Sequence, residues 1–375
     1  MTDSLIAHLA APGVRRLVPY QPGKPISELQ RELGLTAIIK LASNENPLGP
    51  SPRALAVIAE HLPRLAEYPD GSGYALKHAL ARHLAVEPQQ ITLGNGSNDV
   101  LELIARAFLT PDSEAIYAQH AFAVYPLVTC AIGATGRETP VTASFDYDLD
   151  AMLRAINART RVVFLANPNN PTGTYLTAET LRRFLEALPA YVIAVIDEAY
   201  LEYASDSEIA PGYASCLPWL ADFPNLVVVR TFSKAYGLAG LRIGYAASSP
   251  LIADLLNRVR QPFNNNSLAL ACAEAALDDP AHIAQSVAVN RAGMAQLQTA
   301  CVTRGWKGLP SAGNFVLLDL QQPAQPIYEK LLQRGVIVRP VANYGLPQHL
   351  RVTIGTPEQN QRFIDALDEC LRDVR

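Results

Sequence analysis

The pattern of the chain predicts an α/β protein with a mostly parallel sheet flanked by helices in a large domain, a smaller C-terminal α/β domain and an N-terminal arm. Three observations lead there. The short, wholly apolar runs Val162 to Ala166, Tyr191 to Ile196 and Leu226 to Val229 have the length of strands buried on both faces. Such runs alternate with helical segments from Ile91 to Tyr245, as parallel strands joined by crossover helices would require. After about Gln261 the texture changes: a polar PFNNNS segment precedes alanine-rich helices, the strands NFVLLDL, GVIVRP and LRVTIGT, and a final helix from Glu358 to Leu371. The expected division is an arm at 1–45 joining the small domain, a large domain at 46–262 and a small domain at 263–375.

Composition excludes several classes of function. With 49% hydrophobic and 18% charged residues the chain can bury a sizeable core and is not disordered. A net charge of -4 argues against a broad basic face for nucleic acid. Cys130, Cys216, Cys272, Cys301 and Cys370 are odd in number and widely spread, so they read as reduced thiols and offer no metal-site spacing. The first residues lack a basic start, His8 interrupts their apolar stretch, and no run reaches membrane-spanning length. A cytoplasmic protein without metal, membrane or nucleic-acid partner is expected.

Taken in order, Pro12, Pro19, Pro22 and Pro25 exclude a long helix and suggest an extended arm. In the segment from Lys40 to Pro52, Asn44, Glu45 and Asn46 either line a pocket or cap the helix that starts near Pro52. Tyr68 lies on an exposed turn before a helix that carries Leu76, Leu80 and Leu84 on one face. Gln90 to Leu109 reads as strand, glycine turn and helix. Ser97, Asn98 or Asp99 falls near the helix start, where unpaired N–H groups and the helix dipole suit a phosphate; Gly94 and Gly96 let it approach. Asp99 stands where a dinucleotide fingerprint needs its third glycine, which weakens a nicotinamide-cofactor reading. Phe122 and Tyr125 are core residues or a stacking platform. Asn170 lies in the turn after one apolar strand, and Asp197 and Glu198 end the next, where Asp197 is either a functional acid or a cap. Lys234 follows the strand at Leu226 into a glycine-containing loop. It is either a solvated turn lysine or a desolvated amine fit to act as nucleophile or base. Ligands of such sheets bind outside the carboxyl ends of the strands, so Gly96, Asn170, Asp197 and Lys234 are expected at one rim. Arg339 and Arg351 lie on strands joined by the loop VANYGLPQH, either beside one anion or each paired with a surface carboxylate.

A lysine amine, a carboxylate, an asparagine amide and a helix-terminal phosphate cradle around one cleft are the groups that pyridoxal phosphate uses. The segments SNENPLGPSP, YPDGSGY, GNGSND, HAFAVY, NPNNPTG, IDEAY and TFSKAYGLAGLRIGY occur in the order found in fold-type I aminotransferases. The set resembles the histidinol-phosphate aminotransferase family in particular, over nearly the whole chain. That resemblance implies that Lys234 forms the Schiff base with the cofactor and then shuttles a proton, while Asp197 holds the pyridinium. It implies that Asn170 and Tyr200 bind the phenolic oxygen and that Phe122 stacks on the ring, where the family often has tyrosine. Ser97, Asn98, Thr231, Ser233 and Arg242 would hold the phosphate. Tyr68 would reach the phosphate in the neighbouring subunit of a homodimer. Tyr20, Asn46, Arg339 and Arg351 would bind substrate.

The implied reaction moves an amino group between L-histidinol phosphate and 2-oxoglutarate, in histidine biosynthesis. An aromatic-amino-acid aminotransferase and a phosphothreonine decarboxylase are the alternatives on the same scaffold. A non-catalytic regulatory module is the alternative from another class.

Overall fold

A computed structural model describes residues 2–20 and 22–372, and of residues 2–5 the backbone alone. Its strands are β1 (Ile39–Lys40), β2 (Ile91–Gly94), β3 (Glu114–Ala118), β4 (Thr135–Thr139), β5 (Thr160–Ala166), β6 (Ile193–Asp197), β7 (Leu226–Thr231), β8 (Gly244–Ser248), β9 (Lys307–Gly308), β10 (Phe315–Asp319), β11 (Val336–Ile337), β12 (Arg339–Val341) and β13 (Leu346–Thr353). Seven of them form the main sheet in the order β2-β8-β7-β6-β5-β3-β4. β8 runs antiparallel to β2 and β7, and the other neighbours are parallel.

The apolar runs are continuous because both faces of this sheet are covered. Alternate residues of a strand point to opposite faces. Phe164, Val195, Val227 and Val229 therefore meet Val100, Leu101 and Ile104 of the helix Ser97–Phe108 on one side. Leu165, Ile196, Leu226 and Val228 meet Leu181, Phe184 and Leu185 of the helix Ala178–Ala187 on the other. Each fully buried aliphatic side chain of this kind contributes about 1.5–3 kcal/mol relative to exposure. The carboxyl ends of β2, β5, β6 and β7 fall at Gly94, Ala166, Asp197 and Thr231, which brings the chemically distinctive residues to one rim.

A second core forms around an antiparallel sheet in the order β12-β13-β10-β9, packed by the helices Pro280–Arg304, Ala324–Gln333 and Pro357–Arg372. The N-terminal segment joins this part through the parallel pair β1 and β11.

Two expectations are corrected. The arm is not extended throughout; it contains the short helices Thr2–Leu9, Pro12–Arg16 and Ile26–Leu33. Pro12 occupies the first turn of one helix and Pro25 precedes another, positions where a missing N–H costs nothing. The helix Ser267–Leu277 packs on the helices Pro52–His61 and Tyr74–Leu84, with Cys272 and Ala276 against Leu76 and Leu80. The change of core thus follows Leu277, although the change of texture comes earlier.

Among the described residues no helix is long and apolar enough to cross a membrane, and no group of His, Cys, Asp and Glu could hold a metal ion. Cys130, Cys216, Cys272 and Cys301 are free thiols.

Candidate active site

A cavity of about 180 Å³ opens at the rim formed by the carboxyl ends of β2, β5, β6 and β7. Asp197 forms part of its wall at the end of β6. Its carboxylate accepts the Tyr125 hydroxyl at 3.1 Å and the Ala199 N–H at 3.2 Å. Burial pushes the carboxyl up to about 6, against the opposing effect of those two donors. Glu198, one residue on, points to the other side and pairs with the buried Arg230 at 2.9 Å. Strand alternation therefore decides which of the two adjacent carboxylates reaches the cavity.

Lys234 enters from the loop after β7 and donates from Nζ to the Ser43 carbonyl at 3.0 Å. Burial brings its amine down to about 7, helped by the Arg351 and Arg242 guanidinium groups and opposed by Glu45 and Asp197. The amine is accordingly poised to change protonation near neutral pH.

One end of the cavity is built at the start of the helix Ser97–Phe108. Gly96 precedes it at φ 84°, a conformation that favours glycine, and a Cβ there would lie 2.3 Å from Arg242 Nη2 and push the guanidinium aside. Arg242 donates to Ser233 Oγ at 3.3 Å, and Thr231 Oγ1 accepts the Ser233 N–H at 3.1 Å. Ser97 and Asn98 line the same cavity. Backbone N–H groups, hydroxyls and a guanidinium form a donor set suited to a phosphate monoester. Asp99 instead accepts Asn95 N–H at 2.8 Å and Asn264 Nδ2 at 2.7 Å, fixing the turn.

The opposite end comes from the second sheet. Register places Arg339 of β12 directly across from Arg351 of β13. Arg351 donates from Nη1 to Asn170 Oδ1 at 2.5 Å and from Nη2 to the Ala42 carbonyl at 2.6 Å, while its buried Nε has no partner among the described residues. The Asn170 oxygen being occupied, its amide N–H groups remain for the cavity. Tyr20 meets Arg339, with Arg339 Nη2 at 3.5 Å from the hydroxyl. Phe122 and Tyr200 complete the lining, Phe122 lying edge-on to Tyr125 with centroids 5.8 Å apart.

An aromatic wall, a desolvated amine, a buried carboxylate and a phosphate cradle thus converge. The residues present fit pyridoxal phosphate.

The model of the family described as aminotransferase class I and II matches residues 36–367. The chain belongs to this family. As an aminotransferase it is 58% identical over 365 residues to histidinol-phosphate aminotransferase 2 of Pseudomonas fluorescens, with 97% of each chain covered. It is also 58% identical over 373 residues to histidinol-phosphate aminotransferase 2 of Pseudomonas aeruginosa, with 99% of each covered. Among solved structures, histidinol-phosphate aminotransferase from Sinorhizobium meliloti in complex with pyridoxal-5'-phosphate matches with a TM-score of 0.89 at 29% identity, over 98% of each chain. The fold-type I architecture expected from the motifs is the one observed.

Tyr68, expected at the site of a neighbouring subunit, does not line the cavity of its own chain, and Asn46, expected at the substrate, lies outside it. Tyr68 is 82% exposed, stacked on Phe263 at 4.8 Å and away from the cavity. Asn46 is corrected as a substrate residue. Its amide donates to the Ala235 carbonyl and Ser286 Oγ, both at 2.8 Å, and its oxygen accepts the Leu48 N–H, so it secures the loop. The neighbour that does line the cavity is Asn44. Sequence reasoning also missed the bond from Tyr125 to Asp197. Tyr125 was visible as an aromatic of the HAFAVY segment, but the partner of its hydroxyl lies 72 residues away.

Proposed function

We propose that this aminotransferase moves the amino group between L-histidinol phosphate and 2-oxoglutarate, giving imidazole-acetol phosphate and L-glutamate, with pyridoxal phosphate as cofactor, in L-histidine biosynthesis. The observation that carries the reading is a single cavity with anion-binding groups at two ends. One end has Ser97 and Arg242; the other has the cross-strand pair Arg339 and Arg351 with Tyr20. The first suits the cofactor phosphate and the second the phosphate of the donor.

When bound, the cofactor supplies an electron sink that lets the substrate Cα–H bond break. Lys234 Nζ, neutral in an appreciable fraction near pH 7, takes the proton from the substrate Cα. Asp197 holds negative charge against a cationic ring nitrogen, with Tyr125 orienting its carboxylate. Asn170 and Tyr200 offer donors to the phenolic oxygen, and Phe122 gives a flat apolar surface for the ring. Ser97, Asn98, Thr231, Ser233 and Arg242 bind the cofactor phosphate. Arg351 serves a second purpose: 2-oxoglutarate and glutamate bring a carboxylate that a planar guanidinium binds through two parallel hydrogen bonds. The reading includes a cytoplasmic homodimer in which Tyr68, exposed on its own chain, completes the neighbour's phosphate site.

A panel of histidinol phosphate, phenylalanine, tyrosine and phosphothreonine tests the assignment. Amino transfer to 2-oxoglutarate is expected to have its highest kcat/KM with histidinol phosphate. Preference for an aromatic amino acid, or release of carbon dioxide from phosphothreonine as the main reaction, would replace this reading by one of the others.

A further inference from the structure

The hydrogen bonds around Asn44 have a direction, and that direction reaches the cavity. Asn44 is buried and left-handed at φ 56°, a conformation that Asn and Asp tolerate better than other side chains. Its backbone N–H donates to Thr353 Oγ1 at 2.9 Å. The Thr353 hydroxyl donates in turn to Asn44 Oδ1 at 3.1 Å. With its oxygen fixed by Thr353, the amide presents Nδ2 to the Tyr200 hydroxyl, 2.8 Å away. Asn314 Nδ2 pins the Asn44 carbonyl at 3.0 Å, so the residue is held from both ends.

Tyr200 Oη therefore accepts from Asn44, and its own proton must go elsewhere. Among the described residues no acceptor receives it, and Tyr200 lines the cavity. Burial pushes the phenol up to about 12, so the hydroxyl keeps its proton at neutral pH.

We propose that Asn44 is a positioning residue that orients the Tyr200 hydroxyl as a donor into the cavity, toward an anionic oxygen of the bound ligand. This rests on the reading of the cavity as a pyridoxal phosphate site, where the phenolic oxygen is that anion. The bond spans two parts of the chain: Asn44 belongs to the segment that joins β13 through Thr353, and Tyr200 follows β6. Docking of the N-terminal segment on the second sheet is thereby coupled to the polarity of one hydroxyl at the end of the first.

The probe is Asn44→Asp, which keeps the shape, the left-handed tolerance and an oxygen for Thr353, but turns the donor facing Tyr200 into an acceptor. The Tyr200 proton is then drawn to the new carboxylate. Apoprotein of Asn44→Asp is expected to bind pyridoxal phosphate about 10- to 100-fold more weakly than wild type, the range for a lost hydrogen bond to a charged group. The pH titration of the bound cofactor's absorbance is expected to shift as it does in Tyr200→Phe.

The new charge also lies near Lys234, Arg351 and Asp197, so the comparison is made as a cycle with Tyr200→Phe. In the Tyr200→Phe background the further effect of Asn44→Asp should fall to about twofold or less, because the two residues act as one unit. A penalty that persists undiminished in that background would be a general charge effect and would overturn the proposal. So would an Asn44→Asp protein that binds the cofactor like wild type. Wild-type protein that fails to bind pyridoxal phosphate would overturn the reading of the cavity and the inference with it.

Discussion

Asp197, proposed to hold negative charge against a cationic ring nitrogen, stands where burial favours its protonated form, which the Tyr125 hydroxyl and the Ala199 N–H offset in part and a bound cation would offset further. Its carboxyl sits at about 6 in the folded chain, against an ordinary value near 3.8. The folded state therefore binds the extra proton between those limits, and stability falls as pH rises through that window. Above about pH 6 the penalty is fully present, amounting to about 1–3 kcal/mol. Asp197→Asn is accordingly expected to stabilise the cofactor-free protein by that amount near pH 8, with the gain vanishing below about pH 4, where both forms are neutral. Urea unfolding at the two pH values measures it; an equal effect at both would refute the electrostatic origin. The same substitution should abolish useful cofactor activation, an instance of a functional site that lowers stability. Tyr125 limits the penalty by donating to the carboxylate from a fully buried ring stacked on Phe164 at 5.0 Å.

At the scale of elements, the antiparallel pair β12 and β13 is unusual in facing two guanidinium groups across one rung. Like charges directly opposite are unfavourable, so an anion between or beside them is welcome. A one-residue slip of either strand would turn its arginine to the other face, and the apolar residues Val338, Leu350 and Val352 of the second core forbid it. Arg339→Ala is expected to raise the KM for a phosphorylated donor about 10- to 100-fold, while an unphosphorylated aromatic donor changes by less than about threefold. Steady-state kinetics with both donors decides this; equal losses for the two would remove Arg339 from the phosphate site. The strands themselves were readable from their apolar runs, and the last helix, expected at Glu358 to Leu371, is observed at Pro357–Arg372. The pairing of Arg339 with Arg351 was not, because register depends on how the whole second core packs.

For the whole molecule, the proposed sharing of active sites between two chains has a consequence that mixing can test. Tyr68 is exposed and stacked on Phe263, so it cannot serve its own cavity. If it serves a neighbour's, a Lys234→Ala chain still lends its Tyr68, and a Tyr68→Ala chain still holds its own Lys234. Refolding the two together should form heterodimers in which one site is intact, giving about a quarter of the wild-type sites in a random mixture. Activity above the sum of the separate variants is the expected result; simple additivity would mean that each chain works alone.

Local chemistry made much of this protein legible. Four apolar residues at Leu226 to Val229 followed by a lysine and glycines marked a buried strand delivering an amine to a sheet rim. The turns at Gly96, Asn170 and Asp197 did the same for the groups around it. Those inferences hold because strand length, alternation and turn formation are set by neighbours in the chain. What folding alone decided is which of several similar residues faces the cavity. Asn44 lines it and Asn46 does not, Asp197 lines it and Glu198 does not, and the Tyr125 hydroxyl reaches Asp197 while Phe122 lines the cavity. Each choice is made by a hydrogen bond or ion pair with a residue distant in sequence, such as Tyr200, Thr353, Ala235 or Arg230, and so depends on contacts that exist only once both cores have packed.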